Sequence, residues 1–369
     1  MKRNHDKGDK IKDLLERGIN EGVYPGAVLL VAKDGHIVFF QEVGYLSLIP
    51  EYIPMEKDTV FDLASLTKPL ATTLALMKLV DKGQVGLDQP LSEIITTSPL
   101  LDKKDLTPRL LLCHSGGFAD WKPFYLDLVK QRLNARKKIL REWLLEEPLS
   151  YEQGTRSVYS DLGFIILEWL IEEITGISMS LYLERALYHP FSLERTFLGP
   201  GSSPKSFEKG MFAATEDCPW RKKVIQGEVH DENAFALGGY SGHAGLFGVA
   251  EDVYRIVNLL REHYQGKRDD YFQPETIREF FTKQEMVEGC TWALGWDTPS
   301  HQNSSSGKYF SPNSVGHLGF TGTSIWMDLE ADVMAILLTN RIHPTRNNKR
   351  IKAFRPEIHD LIMEELGHA

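Results

Sequence analysis

Apolar positions along the start of the chain recur with two different periods. Ile11, Leu14, Leu15 and Ile19 fall at i, i+3, i+4 and i+8, the stripe of an amphipathic helix over 8–22. Pro25-Gly26 interrupts it. Two apolar runs, 27–32 and 36–40, then flank Lys33-Asp34-Gly35, and an Asp-Gly pair between such runs predicts a β-hairpin. A long apolar segment over 70–80 follows Ser65-Leu66-Thr67-Lys68-Pro69, so a helix is expected with Ser65 at its head and Gly83 as its C-cap. From 84 to 200 the pattern is helical, with segments at 91–95, 106–113, 124–133, 139–145 and 162–174 separated by turns rich in Pro, Gly or Asp. Beyond about 200, helices are expected at 250–263 and 273–281. Two strands follow, 323–328 and 333–339, joined by the acidic turn Leu329-Glu330-Ala331-Asp332, and a helix over 354–366 closes the chain. The Ser/Asn-rich stretch 300–306 reads as a mobile surface loop.

Strands and flanking helices thus come from both ends, with helices between. The expected fold is α/β (α+β): an antiparallel sheet flanked by helices, built from 1–80 and 201–369. An all-helical domain, 81–200, is inserted, and the active site is expected between the two.

Composition narrows the functional classes. A chain of 369 residues predicts one large or two closely joined domains, and 42% hydrophobic with 25% charged residues is ordinary for a globular enzyme. The net charge of -9 is spread without a basic stripe, which argues against nucleic acid and anionic membrane as partners. Cys113, Cys218 and Cys290 fit neither a disulfide framework nor a zinc pattern and read as buried thiols. The charged first twenty residues contain no apolar signal core, and no run reaches the ~18 apolar residues of a membrane helix. As written, the chain is expected to be soluble and cytoplasmic; an exported protein trimmed of its leader would look similar.

Ser65 and Lys68, three apart, share one face of a helix. A serine hydroxyl becomes a nucleophile when a neighbour takes its proton, and a lysine can do so once burial or another cation lowers its pKa. The helix N-terminus suits a developing oxyanion. The same spacing recurs at Ser202/Lys205, Ser206/Lys209 and Ser305/Lys308, but none of these opens an apolar run, so they read as loops. Catalysis on Ser65 needs a second proton handler and a substrate-orienting element. Tyr159, in Tyr159-Ser160-Asp161 after the turn Gln153-Gly154-Thr155, is placed to project its hydroxyl into a cleft. Gly316-His317-Leu318-Gly319-Phe320-Thr321-Gly322-Thr323 reads as a glycine-rich turn entering the strand at 324, where backbone and an imidazole can approach a ligand.

These three boxes, in this order and setting, resemble those of the serine β-lactamase and penicillin-binding protein superfamily, in particular its class C branch, which includes esterases and D-amino-acid peptidases. Leu112-Cys113-His114-Ser115-Gly116-Gly117, Gly242-His243-Ala244-Gly245-Leu246-Phe247 and Ala293-Leu294-Gly295-Trp296 look like the same branch. The resemblance runs from about Gly22 to the C-terminus. It implies Ser65 as the acylated nucleophile, Lys68 as its proton acceptor, and Tyr159 as proton donor to the leaving group. It also implies His317 as a hydrogen-bonding partner of Tyr159 or of a substrate carboxylate, and the N–H groups of Ser65 and Phe320, with Gly319 beside them, as the oxyanion hole.

Two departures matter. Asp161 stands where the superfamily usually has Asn, and a carboxylate cannot donate to a substrate amide carbonyl. His317 replaces a lysine, which would make anion binding pH-dependent. Both point from a dedicated β-lactamase towards an esterase or peptidase-like acyl hydrolase acting on a small ester, amide or peptide, with no metal or organic cofactor. The alternative is a penicillin-binding or sensor protein acylated once and never cleared. His230-Asp231-Glu232 and His243 offer metal-ligand types without metal-ligand spacing, and capping or turn roles are expected of them. Gly239-Tyr240-Ser241-Gly242-His243 lacks the final glycine of an α/β-hydrolase elbow.

Overall fold

A computed structural model describes residues 8–199 and 207–368. Asp34 and Gly35 take φ of 52° and 76°, the left-handed pair that a two-residue hairpin turn requires. They join β1 (Gly26–Lys33) to β2 (His36–Ser47), antiparallel from Lys33↔His36 onward. β2 runs past its predicted end at 40 because its partly exposed length accepts Gln41 and Glu42, which interrupt the apolar run. The remaining strands are β3 (Ile53–Pro54), β4 (Phe61–Asp62), β5 (Phe197–Leu198), β6 (Asp217–Cys218), β7 (Lys223–Val224), β8 (Leu246–Gly248), β9 (Val315–Leu318), β10 (Ser324–Asp328) and β11 (Val333–Thr339).

The main sheet is antiparallel in the order β3-β2-β1-β11-β10-β9, so the two ends of the chain meet at its centre, with Leu30 opposite Ile336. Two smaller sheets, β4-β8-β5 and β6-β7, lie outside it. The late hairpin forms as expected, its turn braced by Asp328 Oδ1, which accepts the N–H groups of Glu330 and Ala331 at 2.9 Å each.

The helices are α1 (Asp9–Asn20), α2 (Leu74–Asp81), α3 (Leu91–Ile94), α4 (Pro108–Leu112), α5 (Tyr125–Leu128), α6 (Leu133–Glu146), α7 (Asp161–Thr175), α8 (Met179–Leu183), α9 (Glu232–Ala236), α10 (Ala250–Tyr264), α11 (Pro274–Phe281) and α12 (Ile351–Glu365). Alternation along β1 divides the core between two faces. Ala27, Leu29 and Val31 pack with Trp326 and Leu337 against α1 and α12, through Leu15, Phe354 and Ile358. Val28 and Leu30 face α2 and α10 in a larger cluster that continues through Phe164, Leu167 and Leu170 of α7. A sheet covered on both faces explains the unbroken apolar run of β1. Each fully buried Leu or Ile contributes about 1.5–3 kcal/mol. All three cysteines are buried and free. No helix among the described residues is long and apolar enough to cross a membrane.

Three expectations are corrected. The helix predicted over 124–133 stops at Leu128, and the one predicted over 139–145 begins early, at Leu133, because Arg136 turns back to the Val129 and Gln131 carbonyls and closes the chain between α5 and α6. The stretch 300–306 is a loop but is anchored: Ser306 is buried, and His359 of α12 donates from Nδ1 to the Ser305 carbonyl at 2.7 Å. The stretch 316–323 contains a strand of its own. Val315–Leu318 is the edge strand β9, pairing His317 with Ile325, and only 319–323 is turn. Gly316 hid this strand; it stands where the Trp326 ring crosses the sheet, and a Cβ there would lie 2.4 Å from that ring.

Candidate active site

The Ser65 segment leaves β4 through a tight bend. Ala64 holds φ of 49°, a left-handed conformation that costs a non-glycine residue about 1–2 kcal/mol, and Asp62 Oδ1 braces it by accepting its N–H at 2.9 Å. The helix predicted from Ser65 is a helical run of three kinds: a 3₁₀ turn at Ala64–Leu66, a π turn at Lys68–Thr73, then α2. Pro69 has no N–H to give the i→i−4 ladder, which interrupts regular winding at this point. The expected contact is made nonetheless. Lys68 Nζ donates to Ser65 Oγ at 3.1 Å, to Asp161 Oδ1 at 2.7 Å and to the His243 carbonyl at 3.3 Å. The Lys68 side chain is wholly buried, and its Nζ lies 4.7 Å from the centre of the Tyr159 ring.

Tyr159-Ser160-Asp161 is held from below. The Ser160 N–H donates to His114 Nδ1 at 3.0 Å, and the His114 ring packs on Tyr159 at 4.6 Å and on Trp292 at 4.4 Å. The stretch 242–247 clamps the other side. Thr72 donates to the Gly242 carbonyl at 2.6 Å, and a Cβ on Gly242 would meet the Phe164 carbonyl at 2.0 Å, so only glycine fits. Gly295 is equally close to Thr73.

The electrostatics revise the expected roles. Burial drives the Lys68 pKa down, but Asp161 and Tyr159 outweigh it and the net shift is upward. This direction favours the ammonium and is opposite to the lowering that burial alone would give. Burial raises the Tyr159 pKa against the opposing pull of Lys68, so the phenol keeps its proton. His317 is 2% exposed; burial and the Lys68 charge push it down to about 3. Its Nδ1–H donates to the Leu318 carbonyl at 2.9 Å, and its Nε2 has no partner among the described residues. The ring lies behind Tyr159, 6.1 Å between centres, and its lowered pKa favours the neutral form, whereas a pH-dependent imidazole is the expectation from sequence.

A cavity of about 440 Å³ opens onto Ser65, Tyr159 and Asp161. Phe320, 47% exposed, forms part of its wall, whereas Gly319 packs behind it against Thr323 and the Leu63 carbonyl. Thr321 and Thr323 donate to the carbonyls of Asp62 and Leu63 at 2.8 and 3.2 Å, which ties the 319–323 turn to the residues just before Ser65. Neither the Ser65 N–H nor the Phe320 N–H donates to another described residue. Of the other Ser-x-x-Lys pairs, Ser202, Lys205 and Ser206 lie outside the described residues, and Ser305 and Lys308 are in a loop away from this cavity.

Asp231 and His243 also line the cavity, with His230, Glu232, Asp120, Trp121 and Arg346. Asp231 caps α9, accepting the Ala234 N–H at 2.7 Å, and pairs with His243 Nε2 at 3.0 Å. Asp161, Asp231 and His243 bring ligand atoms within 4.8 Å of one another, a grouping their sequence spacing does not suggest. They are the residues that could hold a metal. Yet Asp161 is answered by Lys68, and Asp231 by His243, whose pKa burial lowers but the two aspartates raise on balance. Lys68 and His243 Nε2 thus already engage the carboxylate oxygens that an ion would need. Arg346, bound to Glu216 and Glu232, arrives from the C-terminal loop, and no local pattern marks it or Trp121.

The Beta-lactamase family model matches residues 11–358. The chain is 33% identical over 362 residues to the N-acetylmuramyl-L-alanine amidase of Bacillus subtilis (strain 168), across 90% of this chain and 81% of the relative. It is 31% identical over 359 residues to a protein of Escherichia coli O157:H7 named "Putative D-alanyl-D-alanine carboxypeptidase", across 89% and 82% of the two chains. The fold matches that of EstCE1, a hydrolase with promiscuous acyltransferase activity, with a TM-score of 0.73 at 21% identity over 96% and 98% of the two chains. Family and relatives point to hydrolase activity. This chain belongs to the Beta-lactamase family, within the serine β-lactamase and penicillin-binding protein superfamily.

Proposed function

We propose that the protein is a serine acyl hydrolase that works through an acyl-enzyme on Ser65 and cuts amides or esters of small, polar, peptide-like acyl compounds. The observation that carries this reading is the Lys68 ammonium, bridging Ser65 Oγ and Asp161 Oδ1 at the wall of the cavity with the Tyr159 ring over it. Four carboxylates and Arg346 around that cavity suit a hydrogen-bonding substrate better than a lipid ester. The amidase and carboxypeptidase names of the relatives favour an amide bond, as in cell-wall peptides.

In this mechanism Ser65 Oγ attacks the acyl carbon. Its proton passes to Lys68 Nζ as Lys68 gives one to Asp161, so that Asp161 is the final acceptor. The carbonyl oxygen, now an oxyanion, receives hydrogen bonds from the Ser65 and Phe320 N–H groups, each worth about 3–4 kcal/mol of barrier in such sites. Collapse breaks the bond to the leaving group, which takes the Tyr159 proton. Tyr159 is then reprotonated through Lys68 from Asp161. Water repeats the sequence on the acyl-enzyme, freeing the acid and returning the proton to Ser65. The helical stretch 81–200, as an inserted domain, would supply Tyr159 and Asp161 to a nucleophile carried by the sheet domain.

The test is intact mass against time after mixing with a p-nitrophenyl ester, a penicillin or an N-acylated dipeptide. A transient adduct with product release is expected, and Ser65→Ala should abolish it. Labelling that persists at another residue would overturn the assignment of Ser65. A permanent adduct would instead make this a penicillin-binding or sensor protein.

A further inference from the structure

Two arginines with no carboxylate partner among the described residues stand behind the 319–323 turn. Arg355 of α12 is 5% exposed and Arg341 is 8% exposed, and no carboxylate among the described residues answers either. Arg355 Nη2 donates to the Gly319 carbonyl at 3.2 Å and the Thr323 carbonyl at 2.9 Å, while its Nε has no partner. Arg341 donates to the Phe320 carbonyl. A buried guanidinium without a counter-ion is expensive, and a stability role alone accounts for it poorly, since apolar side chains commonly replace buried charges at no loss.

The atoms that Arg355 touches supply the reason. The Gly319 carbonyl belongs to the same peptide unit as the Phe320 N–H. Amide resonance couples the two ends of that unit, so a cation on the oxygen draws electron density from the nitrogen and strengthens the N–H as a donor. We propose that Arg355 is a positioning residue for the oxyanion hole: its guanidinium holds and polarises the Gly319–Phe320 peptide so that the Phe320 N–H meets the developing oxyanion as a strong, fixed donor. Its second bond, to Thr323, closes the other end of the same turn, where the Gly319 N–H also donates to the Thr323 carbonyl at 2.8 Å. Burial and Arg341 pull the Arg355 pKa down only to about 9, so the charge persists at neutral pH. Arg341 grasps the next peptide along, whose N–H belongs to Thr321, and provides the internal comparison.

This inference rests on the acyl-enzyme reading, and one experiment separates their failures. The unsubstituted protein and the Arg355→Lys, Arg355→Gln and Arg341→Gln variants are acylated at Ser65 with a slowly released ester. The acyl carbonyl band is then read by isotope-edited infrared spectroscopy, and affinity for a boronic acid that forms a tetrahedral serine adduct is measured beside it. The expected band position is lowest in the unsubstituted protein, higher in Arg355→Lys and highest in Arg355→Gln, because a weaker donor polarises the carbonyl less. Acylation rate and boronate affinity should fall together, by about tenfold or more in Arg355→Gln. Arg341→Gln should move the band less than Arg355→Gln. If Arg355→Gln does not fold, the shift in Arg355→Lys decides. A folded, acylated Arg355 variant with an unmoved band and unchanged boronate affinity would reduce Arg355 to a packing role. If no ester labels Ser65 in the unsubstituted protein, both readings fall.

Discussion

A wholly buried ammonium is tolerated only where its charge is answered, and Asp161 answers that of Lys68 at 2.7 Å. The aspartate is this chain's departure from the superfamily's usual asparagine, and it decides the protonation state of the site. Without a carboxylate at 161, Tyr159 is left to oppose burial, and the Lys68 pKa should fall. Two consequences follow for Asp161→Asn. The variant loses the final proton acceptor, so acylation by an aryl ester at neutral pH should slow by roughly 10²-fold. It must then use a neutral Lys68 as base, so its rate should climb with pH as that lysine loses its proton. The unsubstituted protein, whose Lys68 is shifted towards the protonated form, should give a flat profile across neutral pH. Stopped-flow acylation over a pH series reads both effects, and an unchanged rate and profile would remove Asp161 from the proton path. Ser65, Lys68, Tyr159 and Asp161, which the fold brings together, could be picked out in the sequence because their spacing resembles the superfamily's boxes. The direction of the Lys68 shift could not, since it depends on a carboxylate ninety-odd positions away in the chain.

The turn between β9 and β10 matters most at the scale of elements. It is sewn to β4 and Leu63 by Thr321 and Thr323, so the two N–H groups proposed as oxyanion donors are spaced by hydrogen bonds between elements far apart in sequence. A Cβ on Gly319 would lie 2.0 Å from Thr323 Oγ1 and 2.8 Å from the Leu63 carbonyl. Gly319→Ala should therefore displace the turn while leaving the sheet paired. We expect kcat/KM to fall by about tenfold to a hundredfold, mostly in kcat, with far-ultraviolet circular dichroism unchanged. Equal activity in the folded variant would show that the turn does not set donor position. Elements announced by turn chemistry, such as the Asp34-Gly35 hairpin, were readable locally. β9 was not, because its glycine serves a neighbouring ring rather than its own strand.

For the whole molecule, the larger core decides how the parts behave together. It runs without a break from Val28 and Leu30 in the sheet to Phe164 and Leu170 in the helical stretch. Two regions sharing one core should unfold together, so calorimetry should give one transition that coincides with loss of Ser65 labelling. Two separated transitions would show that the helical stretch is an independent unit. The sequence by itself determined the mixed architecture, the hairpins, the principal helices and the order of the chemical boxes. Each of these depends on periodicity or on residues close together in the chain. Tertiary structure alone decided that Asp161 and Tyr159 raise the Lys68 pKa, that burial lowers that of His317, that Asp231, His243 and Arg346 line the cavity with Ser65, and that Arg355 stands behind the 319–323 turn. The physical reason is the same for all of them: charge state and hydrogen-bond strength depend on burial and on partners that only folding brings within a few ångströms.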